Sequence, residues 1–200
     1  MGTSDETTTD GRIQRSERSR EAIVVAMLEL IGEGVMSPTA QQVAERAHVG
    51  VRTVFRHFSD MDSLFTVMNE RLIKRVRSFF VEDVQTGPLS KRVELFVERR
   101  FAAFESLSPY LRCSALQRAR SSFLQSEHES TIKIFRRDLQ RSVPEVGSAP
   151  SEIGDGLEMA LSFEAYNRLR LDQRLSSKRT LAAIRATVLG LTSRLETERQ

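Results

Sequence analysis

Residues 37–64, SPTAQQVAERAHVGVRTVFRHFSDMDSL, decide how the rest of the chain is read. Ser37, Pro38 and Thr39 are helix-start signals, with a capping hydroxyl followed by small and polar residues. Val43, Ala44 and Ala47 then share one helical face, and Ala44 is small enough to let a second helix cross closely. His48 falls where the chain must turn, Val49 returns an apolar plug to the core, and Gly50 opens the next helix. Val54, Phe55 and Phe58 are expected to form the buried side of that second helix. Val51, Arg52, Thr53, Arg56 and His57 lie at its start or on its other faces. Two short helices, a tight turn and a third helix restarting near Ser59-Asp60 make a helix-turn-helix pattern, whose second helix enters a DNA major groove.

The stretch resembles the TetR-type bacterial transcriptional regulators. Their signature is an Ile/Val-Ala pair, an Ala before the turn, a Val after it, and a Thr-x-Tyr-x-His-Phe run. Here the matching residues are Val43-Ala44, Ala47, Val49 and Thr53-Val54-Phe55-Arg56-His57-Phe58. The resemblance implies an all-α chain of about nine helices, with a three-helix DNA-binding head and a helical ligand-sensing and dimerisation part. It implies a double-stranded DNA operator and a small-molecule effector as partners, action as a homodimer, and a role as repressor. An activator, a corepressor-dependent form, or a helical interaction module that has lost DNA binding are the alternatives.

Working outward, residues 1–15 are polar, Thr-rich and aperiodic, and read as a flexible tail ahead of a head spanning 16–64 and a second domain spanning 65–200. Arg12, Arg15, Arg18 and Arg20 cluster before and within the first helix. In a TetR-like chain such an arm reaches a phosphate or the minor groove. A solvated leader is the other reading. The first helix is expected over Ser16–Ile31, with Ile23, Ala26, Met27, Leu30 and Ile31 at helical spacing. A fourth helix runs from Ser59-Asp60 to about Glu82, long enough to reach about 35 Å.

Beyond Gly87-Pro88 the periodicity stays helical. Helices are expected over 89–107, closed by Pro109, then 110–126 and 128–143, a loop from Pro144 to Pro150, one helix over 151–171, and a last one capped by Ser176 or Ser177. No alternating strand pattern interrupts them.

Composition narrows the function. Charged residues make up 28% and apolar ones 40% of 200, the balance of a globular chain. No apolar run approaches the ~20 residues of a membrane span, and no apolar signal core opens the chain, so a cytoplasmic location is expected. The single Cys113 excludes an intrachain disulfide and fits a reducing compartment, as an inert packed thiol rather than a redox switch. Between residues 11 and 58 seven Arg face five Glu, an excess too small to argue nucleic-acid binding alone. His48, His57 and His128 are scattered, Glu127-His128-Glu129 are helix neighbours that point apart, and no glycine loop cradles phosphate. No enzyme, metal or cofactor is expected.

For DNA, Arg52 and Arg56 are the candidates for base edges, because a guanidinium grips guanine O6 and N7 together. Val51 suits a thymine methyl. Thr53 and His57 match family positions that touch phosphate, and Gln41 matches one that sometimes reads a base. Phe55 belongs to the same DNA-contacting set but stands where relatives have Tyr, Met61 where they often have Lys, His48 where the turn is usually Gly, and Gly50 where the cap is usually Ser. A residue other than Gly at positive φ costs about 1 kcal/mol.

The family's apolar effector pocket maps onto Phe96, Arg100, Phe104, Phe123, Phe163 and Tyr166. Arg100 and Glu164 fall on apolar stripes, where each must either meet a structural partner or orient a ligand. Ala182, Ala186 and Gly190 recur every four residues on the last helix. With Leu161 on the preceding helix they are the candidates for half of an intermolecular four-helix bundle, an intrachain contact being the alternative.

Overall fold

The computed structural model describes residues 6–76, 79 and 86–197. They form nine α-helices: α1 Glu6–Gly32, α2 Ala40–Arg46, α3 Val51–His57, α4 Met61–Val76, α5 Leu89–Gln117, α6 Ser122–Ser142, α7 Ser151–Ala160, α8 Phe163–Asn167 and α9 Ser177–Thr197. The chain divides into two compact units, residues 1–74 with 109–125, and residues 75–108 with 126–200.

The first unit is built on α1. Ile23, Val24, Ala26, Met27, Leu30 and Ile31 are all buried on it, and α2 and α3 pack against that face and against each other. Each large aliphatic side chain so buried contributes about 1.5–3 kcal/mol. The helix starts at Glu6, ten residues before the Ser16 expected from the sequence. Its first turns hold themselves by local bonds, with Arg15 Nε donating to Gly11 O at 3.0 Å and Arg18 Nε to Gln14 O at 3.3 Å. This stretch carries no apolar stripe, which is why periodicity did not register it.

On α4, Leu64, Phe65, Met68 and Leu72 are buried as the stripe requires. The expected continuation to Glu82 falls on residues that, Phe79 apart, lie outside the described ones. The same unit includes the end of α5 and the start of α6. Cys113 and Leu124 are buried there, Gln117 Nε2 donates to Met36 O at 3.3 Å, and Ser121 caps α6 by accepting from Leu124 N–H at 3.1 Å.

In the second unit Val93, Phe96, Val97 and Phe104 of α5, Leu139 and Val143 of α6, Ile153 and Leu157 of α7 and Ile184, Val188 and Leu195 of α9 are buried. α7 lies against α9, with Gly156 beside the Leu191 side chain.

Three expectations are corrected. Pro109 does not end its helix; α5 runs through it to Gln117. Proline removes one N–H and crowds one carbonyl, a local loss that flanking helix formers and packing outweigh here. The two helices expected over 110–126 and 128–143 are therefore the end of α5 and a single α6 from Ser122. The helix expected over 151–171 is broken in two. Leu161 closes α7, Ser162 caps α8 by accepting from Ala165 N–H at 3.1 Å, and the chain widens into a π-helical turn at Arg168–Asp172.

Candidate nucleic-acid interface

The α2–α3 pair is fixed by its ends. Thr39 caps α2 in a reciprocal box: its hydroxyl accepts from Gln42 N–H at 3.2 Å while Gln42 Oε1 accepts from Thr39 N–H at 2.9 Å. The turn closes as Val49 N–H donates to Ala44 O at 3.0 Å, with His48 in the left-handed region at φ 54°. Gly50 precedes α3 with extended backbone and offers no side-chain cap; its carbonyl accepts from Thr53 N–H at 2.8 Å.

Val54 and Phe58, one turn apart, bury the inner face of α3. Phe55 does not join them. It is 52% exposed, correcting the expectation of a buried side chain. Helical spacing explains this: Phe55 lies three residues after Arg52 and just before Arg56, and all three occupy the outer face. Val51, Thr53 and His57 are half-buried at its margins. Gln41 is exposed on α2, its amide donating to Glu45 Oε1 at 2.6 Å.

The arginines of this unit separate into two groups. Arg46 is committed to Glu33 at 2.6 Å and to Glu29 at 3.4 Å, and its bond to Glu33 holds that carboxyl below its usual range. Arg71 is paired with Glu21. Among the described residues Arg20, Arg52 and Arg56 meet no carboxylate. Arg20 instead lays its guanidinium over the Phe58 ring, 5.2 Å from the centroid. His57 is held below its ordinary pKa, first by burial and then by Arg56 and Arg20, and its Nε2 is buried without a hydrogen-bond partner.

The residues expected to line an effector pocket are drawn together in part. Phe104, Phe163 and Tyr166 touch one another at centroid distances of 5.5–5.7 Å, and Phe101 and Phe135 complete the cluster. Tyr166 donates its hydroxyl to Glu105 Oε1 at 2.6 Å. Arg100 is 4% exposed, lies over Phe96 and Phe135, and donates to Asp138 Oδ2 at 2.7 Å and to Phe135 O at 3.2 Å. Its charge has a structural partner. Phe123 belongs to the other compact unit, and Glu164 is exposed rather than on a buried stripe.

On α9, Ala182, Ala186 and Gly190 are exposed in a row, and a Cβ at Gly190 would meet nothing within 4 Å. Leu161 is buried within its own chain, so it belongs to the core and not to an outer face. Met159 of α7, 68% exposed, was not singled out because a lone Met carries no periodic signal. Asp138 was missed for a different reason: its partners are remote in sequence.

A helix-turn-helix built on a long first helix is followed by a second all-helical unit. Residues 23–68 match the model of the bacterial regulatory proteins, tetR family. Among solved structures, the fold is that of a tetR-family transcriptional regulator from Streptomyces coelicolor, 19% identical, with TM-score 0.68 over 91% of this chain and 83% of that one. A transcriptional regulator from Rhodococcus sp. Rha1 is similar too, 17% identical, with TM-score 0.66 over 89% of this chain and 96% of that one. No curated protein matches the sequence. Among the described residues no metal-binding cluster occurs, and no helix is long and apolar enough to cross a membrane.

Proposed function

We propose that this chain is a sequence-specific DNA-binding transcriptional repressor, acting in the cytoplasm as a homodimer on a roughly palindromic operator and responding to a small molecule. The observation that carries the reading is the outer face of α3, where Arg52, Phe55 and Arg56 stand exposed and the two guanidiniums meet no carboxylate among the described residues. Arg52 and Arg56 take guanine edges, Val51 a thymine methyl, and the exposed ring of Phe55 the apolar part of the groove. Thr53 and His57 take backbone phosphates, and Gln41 supports the register from α2.

A second copy is required because one recognition helix reads too few base pairs to find a site. The exposed Ala182–Ala186–Gly190 row with Met159 supplies the dimer face. The effector belongs with Phe96, Phe104, Phe163 and Tyr166, Arg100 holding the walls of that region through Asp138. Its influence on DNA binding is bounded by its difference in affinity between the two states of the protein.

Capture of genomic fragments by the purified protein, followed by sequencing, gives the operator and the regulated genes together. On that operator Arg52→Ala is expected to lose discrimination between the true site and a scrambled one; unchanged discrimination removes Arg52 from the reading face. A helical interaction module without DNA binding is the competing reading, favoured by Phe55 and Met61 in place of phosphate-contacting residues. Binding that does not fall between low and moderate salt would select it.

A further inference from the structure

The seam between α5 and α6 carries more positive charge than its own carboxylates meet. Arg92, Arg99 and Arg100 of α5 share two, Asp138 and Glu145. α6 adds Arg137 and Arg141, one turn apart on its exposed face, and neither meets a carboxylate among the described residues. Arg99 is the member of the buried network that an outside acceptor reaches. Its side chain is 11% exposed, and its bonds to Asp138 Oδ1 and Ser142 Oγ are both made by Nη2. Nη1 and Nε keep their N–H groups, and a second carboxylate fits along that edge of the guanidinium fork.

Apolar side chains stand beside these cations. Leu95 lies one turn before Arg99 on α5, and Ile134 one turn before Asp138 on α6, while Arg99 and Asp138 are 3.0 Å apart. Residues four apart share a helix face, so Leu95 and Ile134, 40% and 49% exposed, border one seam. The two helices run antiparallel, since Arg92 bonds Ser142 O and Arg100 bonds Phe135 O. Leu95 and Ile134 therefore sit at opposite ends of the stretch centred on Arg99, about 12 Å apart along it at 1.5 Å per residue. That is the spacing of two side chains two turns apart on a helix.

The chemistry selects among occupants. Duplex DNA offers phosphates but nothing apolar along its backbone for Leu95 and Ile134. A membrane surface needs a broad apolar helix face, and that of α6, with Leu124, Leu139 and Val143, is buried in the protein. An acidic amphipathic helix offers carboxylates and apolar anchors together.

We infer that the α5–α6 seam is a docking site for an acidic helical segment of a partner protein. Its carboxylates bind Arg99, Arg137 and Arg141, and its apolar side chains rest on Leu95 and Ile134. The inference is independent of the DNA-binding reading.

The test is fluorescence anisotropy of the full-length protein with a labelled helical peptide rich in Glu and carrying two leucines two turns apart. Wild-type protein should bind it, less tightly as salt rises. The double variant Arg137→Glu, Arg141→Glu should bind about tenfold more weakly and with a flatter salt response. Ile134→Ser should weaken binding while keeping the salt response. These positions are exposed, so thermal melts should match the wild type, and operator affinity should not change. Wild-type protein that ignores the peptide, or variants that bind it as tightly as wild type, overturns the inference. So does a double variant that loses operator affinity, anionic vesicle binding or self-association in place of peptide binding, since each assigns the seam to another occupant. Failure of the wild type to bind any duplex removes the DNA-binding reading alone.

Discussion

Arg100 of α5 and Asp138 of α6 form a salt bridge at 2.7 Å with both side chains more than nine-tenths buried. Asp138 also holds Arg99 at 3.0 Å, and Arg99 donates to Ser142 Oγ at 3.0 Å. Nearby, Arg92 donates to Ser142 O at 3.2 Å and pairs with Glu145. Three guanidiniums of one helix are thus tied to α6 and the turn after it through two carboxylates. Burial opposes the charge on Arg100 and pulls its pKa down, with Asp138 as the main counterweight.

Removing Asp138 should therefore cost more than removing a surface pair. Asp138→Asn leaves Arg100 charged and buried without its carboxylate, and such a loss typically costs about 3–5 kcal/mol. Thermal and denaturant melts should show a clear drop. The double variant Arg100→Met, Asp138→Leu replaces the pair by apolar volume and should recover most of it. A single variant that melts like the wild type would mean that Arg100 is not held through Asp138.

Phe55 offers a second test, because its exposure separates two roles. A buried Phe cut back to Ala costs about 3–5 kcal/mol. An exposed one costs under about 1 kcal/mol. Phe55→Ala should fall in the second class while weakening operator binding. Phe55→Tyr should leave the melt unchanged and strengthen binding to scrambled DNA, since a new hydroxyl bond to phosphate contributes about 1 kcal/mol, roughly fivefold. A melt lowered by several kcal/mol in Phe55→Ala would return the ring to the core.

How far these features could be read from sequence depends on how local their causes are. The helix-turn-helix is legible because Thr39, Ala44, His48 and Gly50 act on neighbours a few residues away. His48 adopts the positive φ that its place in the turn required. The core residues Val93, Phe96, Val97 and Phe104 follow from spacing alone. Phe55 was misplaced because hydrophobicity argued for burial, while the wheel position next to Arg52 and Arg56 argued for exposure, and geometry won. Pro109 was read as a stop because proline's local penalty is visible in sequence and the packing that outweighs it is not. Pairs such as Arg20 with Phe58, or Arg100 with Asp138, join residues far apart in sequence, and no periodicity announces them.

His57 links DNA binding to pH. In the free protein its pKa lies below the ordinary 6.5, chiefly from burial and then from Arg56 of its own helix and Arg20 of α1. The neutral form is therefore favoured. A DNA phosphate beside the ring favours the protonated form and raises the pKa in the complex, so binding takes up a proton. Operator affinity should rise as pH falls from 8 toward 6, levelling below the free-protein pKa. The stability of the free protein has the opposite sign: it is complete above 6.5 and declines as pH drops through the lowered pKa. His57→Gln should flatten the affinity profile. If it instead keeps the wild-type slope between pH 8 and 6, the proton is taken up elsewhere.

Gly190 gives the sharpest test of the dimer, because an added methyl has opposite consequences in one copy and in two. Within a single chain Gly190 lies in the interior of α9 with open space where a Cβ would go. Replacing a mid-helix Gly by Ala there should stabilise the helix by about 1 kcal/mol. In the proposed dimer the same position, in line with Ala182 and Ala186, lets the partner's helix approach closely. The methyl then fills the approach and holds the helices apart, and a Leu does so more strongly. Sedimentation across a range of concentrations should show wild-type dimer, weakened association in Gly190→Ala, and monomer in Gly190→Leu. Thermal melts of the monomeric form should show the Ala variant at least as stable as the wild type. A Gly190→Leu protein that still dimerises with wild-type affinity would place the subunit contact on another face.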